Sequence, residues 1–211
     1  MRQFKDRFDA AQQLVPPLLR YKNDPNAVII AIPRGALELG SVLSKELNVP
    51  LDVIFTKKIP HPTNSEYAIG AASAEHMQLD EPFRHVPGIN EYVQGQLERI
   101  RAMIKQRNAS YRAHMPPLNL AGKTVIVVDD GIATGNTMLA TLAFIKQQHP
   151  KKIIVALPVA PADSLERVKM QADEVICLMI PAHFRAVSQF YQHFPQVEDA
   201  TAITLLQEAN K

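Results

Sequence analysis

A chain of 211 residues can enclose one sizeable core but not two large domains, so a single domain over 1–211 is the starting expectation. With 46% apolar and 21% charged residues and a formal net charge of +2, the composition excludes a disordered chain and gives no electrostatic reason for nucleic acid or an anionic membrane to be the main partner. The first residues lack the apolar core of a signal peptide, no apolar run approaches bilayer length, and the single cysteine, Cys177, excludes an internal disulfide or a cysteine-built zinc site, so a cytoplasmic protein is expected.

Residues 4–21 carry Phe8, Ala11, Leu14, Val15, Leu18 and Leu19 at helical spacing, which predicts an amphipathic helix disturbed late by Pro16 and Pro17. After the turn-like Asn23, Asp24, Pro25 and Asn26, residues 27–32 are continuously apolar, as in a strand buried on both faces of a parallel sheet. A helix should follow with Leu37, Val42, Leu43 and Leu47 inward. The pattern then predicts strands over 51–56 and 67–73, a long helix over 91–114, a strand over 124–128 and a helix over 137–148. Strand 152–159, helix 161–171 and strand 174–180 come next, with Cys177 packed in the last. Residues 181–195 loosen into a stretch with Phe184, Phe190, Tyr191 and Phe194, before a final helix over 197–209. Strands alternating with helices imply an α/β fold, a mostly parallel twisted sheet flanked by helices. The aromatic cluster is expected to fold back over the sheet edge, which makes 181–211 a small C-terminal hood.

The chemistry concentrates in VIVVDDGIATGNTM, residues 125–138, where a buried strand runs into two adjacent carboxylates, Asp129 and Asp130, and a loop with Gly131, Thr134, Gly135 and Thr137. Ligands of open α/β sheets bind beyond the carboxyl ends of strands, where these residues fall. Glycines let backbone amides approach an anion, threonine hydroxyls donate to phosphate oxygens, and the following helix presents its positive end. Carboxylates beside a phosphate cradle are suited to neutral hydroxyls, such as a ribose diol, or to a metal held through water. Asp130-Gly131 is also a hairpin signal, but Met138, Leu139, Leu142 and Ile145 continue at helical spacing.

The string resembles the phosphoribosyl pyrophosphate motif of type I phosphoribosyltransferases: an apolar strand, two acidic residues, a short loop and Thr-Gly-x-Thr. IPRGALELG (32–40), KKIPHPTNSEYAIGA (57–71) and IPAHFRAVSQFYQHFPQVEDA (180–200) also resemble a stand-alone bacterial family of these enzymes, so the likeness covers most of the chain. The resemblance implies a Rossmann-like fold and a Mg2+-assisted transfer of phosphoribosyl from phosphoribosyl pyrophosphate to a nitrogen acceptor, a nucleobase or related amine, with release of pyrophosphate. It implies that Gly131, Ile132, Ala133, Thr134, Gly135, Asn136 and Thr137 hold the ribose phosphate, that Asp129 and Asp130 take the diol and the metal through water, and that Arg34 and Gly35 hold pyrophosphate, with Lys57 and Lys58 approaching from the next strand. Arg34, Lys58 and Asp130 are the catalytic candidates. Arg34 also reads as an anion ligand from its own position between a buried strand and a helix.

Two departures stand out. Ala36 replaces a glycine often found after the Pro-Arg pair, and Ala133 stands where hypoxanthine and guanine enzymes carry an acidic base, which disfavours a purine base activated by that group. Residues 60–67 suit a mobile cover, with Glu66 and Tyr67 facing ligand or simply entering a strand. Phe184, Phe190 and Tyr191 either stack a flat acceptor or fill core. The seven histidines show no metal-ligand spacing; only His61 falls near the site. On the long helix, Arg99, Arg101, Lys105, Arg107 and Arg112 fall on several faces and read as solvated. The alternative from another class is a phosphoribosyl pyrophosphate sensor without turnover, acting through a partner or RNA; the resemblance also allows a homo-oligomer.

Overall fold

The computed structural model describes residues 3–73, 77–79, 81–113 and 115–211, without the side chains of Ser65, Glu66 and Gln78. The readings made for His76, His114 and the side chain of Glu66 therefore lie outside the described residues.

The elements in chain order are α1 (Arg7–Leu18), β1 (Ala27–Ala31), α2 (Ala36–Leu47), β2 (Leu51–Val53), β3 (Lys57–His61), β4 (Asn64–Ala72), β5 (Met77–Leu79), α3 (Ile89–Arg112), β6 (Thr124–Val128), α4 (Asn136–Lys146), β7 (Lys152–Val159), α5 (Ala162–Lys169), β8 (Glu174–Met179) and α6 (Asp199–Glu208). Five strands form a parallel sheet in the order β2-β1-β6-β7-β8. Beyond Thr124 and Lys152 at the starts of β6 and β7, its central strands are apolar because both faces are covered. Alternate residues feed two cores: Ile29, Ile126 and Ile154 pack with α1, α2 and α6, while Ile30, Val127 and Val155 pack with α4 and α5. Cys177 is half-buried beside the second core, where burial pushes its thiol above the ordinary range.

Three expectations need correction. The 51–56 strand ends at Val53, with Ile54 and Phe55 buried outside the ladder. The 67–73 strand is not part of the parallel sheet. It belongs to β4, the middle of a separate antiparallel sheet β3-β4-β5 that forms a flap after β2. Helix α1 is also rotated from its expected face: Arg7, Ala10, Ala11, Leu14 and Leu18 are buried, whereas Phe8 and Leu19 are 44% and 50% exposed.

The flap packs Ile59 and Ile69 against α3, and the Thr56 hydroxyl at its base meets that of Thr141 on α4 at 3.0 Å. The N-terminal segment pairs with residues 187–193. Phe4 N donates to Phe190 O and Gln192 N donates back to Phe4 O, each at 2.8 Å, and Phe4, Phe190 and Tyr191 make a small third core over Val159. Helix α6 leaves this hood and packs beside α2 through Ala202 and Leu206. Among the described residues no helix is long and apolar enough to cross a membrane.

Candidate active site

The loops after β1, β6 and β7 leave the same carboxyl edge of the sheet, and the hood folds over it. Asp129 and Asp130 follow β6 directly. The Asp130 amide donates to Asp129 Oδ1 at 2.9 Å, which fixes the first carboxylate against its neighbour's backbone. Burial pushes the Asp129 carboxyl well above the usual range, and the nearby charge of Asp130 adds to this. Burial raises Asp130 as well, but the guanidinium of Arg7 pulls it back. The Asp130 carbonyl accepts the Tyr191 hydroxyl at 2.6 Å.

Arg7, in the first turn of α1, has a side chain only 5% exposed. Its Nε donates to Asp130 Oδ2 at 2.7 Å, and its Nη1 donates to Pro195 O at 2.8 Å and to Glu38 Oε2 at 3.3 Å. The guanidinium carbon lies 3.7 Å from the centre of the Phe194 ring. Glu38, on α2, has its carboxyl raised by burial, partly offset by Arg7.

The loop after the carboxylates divides in two. Gly131 and Ile132 are committed to packing. The Ile132 side chain is buried in the α4–α5 core and its amide donates to Val159 O at 3.1 Å. Gly131 has φ +153°, and a methyl there would lie 2.7 Å from Val187 Cγ1 and 2.8 Å from Val159 Cγ1. Ala133, Thr134 and Thr137 are exposed and Asn136 is half-buried. The carbonyls of this second part are held by side chains of α5: Ser164 Oγ donates to Ala133 O at 2.6 Å, and Arg167 Nη1 to Thr134 O at 3.0 Å. Arg167 Nη2 also donates to Asn136 Oδ1 at 3.1 Å. Gly135, at φ +72°, turns the chain into α4, whose first-turn bond runs from Leu139 N to Gly135 O. The amides ahead of that bond open on the carboxyl edge, an arrangement that favours an anion.

In the first loop the Pro33–Arg34 peptide is cis. The Arg34 guanidinium sits 3.6 Å from both Glu198 Oε2 and Asp199 Oδ2. Gly35 lies against the ion pair: a methyl there would stand 2.3 Å from Asp130 Oδ2 and 2.9 Å from Arg7 Nε. Ala36 is fully buried in the main core, so its methyl points away from any ligand at this loop and the departure from glycine does not crowd the edge. A cavity of about 480 Å³ opens between Arg34, Gly35, Arg107 and the hood residues Phe194 and Pro195. Arg107 thus faces the site. Arg112, also expected to be solvated, instead pairs with the buried Asp52 and donates to Val53 O at 2.9 Å.

Lys57 is exposed and directs Nζ to Met103 Sδ at 3.2 Å, whereas Lys58 is half-buried opposite Ala71 in the flap. Tyr67, 52% exposed, makes edge contacts with His61 and Phe83 and lines a cavity of about 420 Å³ between the flap, Thr134, Asn136 and Arg167. Residues 60–67 form the end of the β3–β4 hairpin. Phe190 and Tyr191 are buried in the hood core and Phe184 stacks on Phe190 at 5.4 Å, so these rings fill core.

Among the described residues no three His, Cys, Asp or Glu side chains converge as a metal cage. The Asp129–Asp130 pair offers only hard carboxylate oxygens, which suits Mg2+ completed by water and substrate oxygens.

The five-stranded parallel sheet with its helices is the α/β fold of type I phosphoribosyltransferases. The family model described as phosphoribosyl transferase domain matches residues 4–194, and the chain belongs to that family. A Mycobacterium tuberculosis protein named as a candidate phosphoribosyl transferase is 32% identical over 213 residues, covering 100% of this chain and 48% of its own length. The chain thus spans about half the length of the curated relatives it matches. A crystal structure from Thermus thermophilus is 32% identical with a TM-score of 0.90, each chain covered at 100%. A hypoxanthine-guanine phosphoribosyltransferase from Bacillus anthracis shares the fold alone, with 14% identity, a TM-score of 0.51 and coverage of 86% and 83%.

Sequence reasoning missed Arg7, Ser164, Arg167 and the hydroxyl of Tyr191. Arg7 left one signal. It lies with Ala11, Leu14 and Leu18 at positions i, i+4, i+7 and i+11, a charge on the apolar stripe.

Proposed function

We propose that the chain binds Mg2+-phosphoribosyl pyrophosphate and transfers the phosphoribosyl group to a nitrogen acceptor, a nucleobase or related amine, releasing pyrophosphate. The observation that carries this reading is the pairing, on one loop, of the half-buried Asp129–Asp130 carboxylates with a glycine-threonine turn whose carbonyls are tied back by Ser164 and Arg167. Phosphate is served by the amides from Thr134 to Thr137 and the N-terminus of α4; the ribose diol is served by the two carboxylates. Asp129 and Asp130 would hold Mg2+ through water, and the ion supplies neutralisation of the diphosphate charge. Gly35 and Ala36 present the first amides of α2 to the leaving group, and Arg34 adds its charge once released from Glu198 and Asp199. Arg107, which lines the cavity beside Arg34, would reinforce that side with Lys58 reaching from the flap, and the flap with Tyr67 would exclude water as the anomeric carbon takes on positive character. The acceptor nitrogen attacks that carbon as the bond to pyrophosphate breaks. The chain's own residues position the reactants; no covalent enzyme intermediate is needed.

The test is calorimetric titration with Mg2+-phosphoribosyl pyrophosphate, followed by pyrophosphate release across a panel of nucleobases and small amines. Binding with acceptor-dependent release supports the transferase. Binding without release on any acceptor supports the sensor reading, and absence of binding overturns the proposal.

A further inference from the structure

The one buried guanidinium at the site is Arg7, among the described residues, and it joins three parts of the chain that are remote in sequence. Its Nε holds Asp130 Oδ2 at 2.7 Å, its Nη1 reaches Glu38 on α2 and the Pro195 carbonyl of the hood, and the Phe194 ring covers its face at 3.7 Å. Gly35 walls the same carboxylate oxygen, since a methyl there would stand 2.3 Å from Oδ2. Tyr191 holds the Asp130 carbonyl at 2.6 Å. Side chain and backbone of Asp130 are therefore both fixed by groups tied to the hood.

A buried ion pair is a weak device for stability, because desolvation offsets most of its attraction and apolar residues of similar volume do as well. It is a strong device for orientation. The planar fork of arginine serves a carboxylate and a carbonyl at once, which a lysine ammonium on a flexible stem does less well. Residues that orient a reacting group must be locked by their own packing, and Arg7, clamped by Phe194 and Pro195, meets that condition.

We propose that Arg7 is a positioning residue: clamped by the hood and by Glu38, it holds the Asp130 carboxylate in the orientation that accepts a ribose hydroxyl. The inference rests on the reading of the carboxylate pair as the ribose site. It makes the first turn of the chain part of how the site recognises sugar.

The test is metal-free calorimetry with ribose 5-phosphate and its 2-deoxy and 3-deoxy analogues, on the wild type and on Asp130→Asn, Arg7→Gln, Arg7→Lys and Leu14→Val. A hydroxyl-to-carboxylate hydrogen bond corresponds to discrimination of about tenfold or more against the analogue that lacks the hydroxyl. The wild type is expected to show this against at least one analogue, and Asp130→Asn to lose it. Arg7→Gln should fall to less than about threefold and Arg7→Lys should lie between. Leu14→Val, which loosens α1 without touching the guanidinium, should keep the wild-type ratio. A merely structural role for Arg7 weakens all three sugars equally and leaves the ratio intact, so a wild-type ratio in Arg7→Gln and Arg7→Lys overturns the inference. Should Arg7→Gln not fold, Arg7→Lys decides: an intermediate ratio supports the inference and an unchanged one overturns it. If the wild type itself does not discriminate, or Asp130→Asn discriminates as well as the wild type, the ribose reading has failed and this inference falls with it.

Discussion

Two glycines of the loop between β6 and α4 make a paired prediction, because alanine meets different obstacles at each. At Gly135, φ is +72° and the nearest atom to an added methyl is 3.6 Å away, so Gly135→Ala adds backbone strain alone, about 1–2 kcal/mol. At Gly131, φ is +153° and the methyl would lie 2.7 Å from Val187 Cγ1, 2.8 Å from Val159 Cγ1 and 3.2 Å from the Val159 carbonyl oxygen. That oxygen belongs to a central strand and already accepts the Ile132 amide, so it is poorly able to yield. Overpacking costs about 1–3 kcal/mol beyond the strain, which brings Gly131→Ala to about 2–5 kcal/mol. Equilibrium urea unfolding of both variants and the wild type, fitted with a shared slope, measures the difference. If Gly131→Ala costs no more than Gly135→Ala, the view of Gly131 as a packing glycine wedged between β7 and the hood is refuted.

Asp129→Asn should stabilise the ligand-free protein at neutral pH while sharply lowering affinity for Mg2+-phosphoribosyl pyrophosphate. The carboxyls of Asp129 and Asp130 are raised by burial, so their contribution to stability is full below the unfolded pKa and is lost as pH rises through the folded values. Thermal melts of the ligand-free wild type should therefore fall across that window, with a shallower fall in the variant. Tyr191→Phe leaves the Asp130 carbonyl without its 2.6 Å donor and should cost about 1–2 kcal/mol in urea unfolding. Arg167→Ala frees the Thr134 carbonyl and the Asn136 side chain; ribose 5-phosphate affinity measured by calorimetry should drop about three- to tenfold, with the melting temperature nearly unchanged. Joint replacement Glu198→Gln and Asp199→Asn releases Arg34 and should tighten pyrophosphate binding by no more than about fivefold, since both 3.6 Å pairs are long and neither acid is buried.

The central sheet was legible because a strand covered on both faces reads as an unbroken apolar run: AVIIA and TVIVV announce β1 and β6 directly. The flap was not. Its first strand, KKIPH, carries two lysines and Pro60, and its pairing shifts between Ile59 and Pro60, so neither alternation nor propensity marks it. The apolar Ile54 and Phe55 extended the apparent β2, although their burial comes from packing outside the ladder. At the site, the carboxylates and the glycine-threonine loop are contiguous and could be read together. Arg7 and Asp130 stand 123 positions apart, and only the tertiary fold joins them. Likewise, nothing local distinguishes Ile132, whose amide goes to Val159, from the exposed Thr134 two residues later.

The pairing of Phe4 and Lys5 with residues 190–193, and of Arg7 with Pro195, has a consequence for biosynthesis. In a nascent chain α1 comes first, the loop between β6 and α4 much later and the hood last. At about 5–20 residues per second, the hood follows that loop by roughly 3–12 s. Throughout that interval the Asp130 carbonyl lacks the Tyr191 hydroxyl, and Arg7 lacks the Pro195 carbonyl and the Phe194 ring. An unfinished polypeptide therefore carries the acidic loop without the hood contacts that brace Asp130 and Arg7, and a ribosome stalled short of residue 191 yields a chain in which neither contact can form.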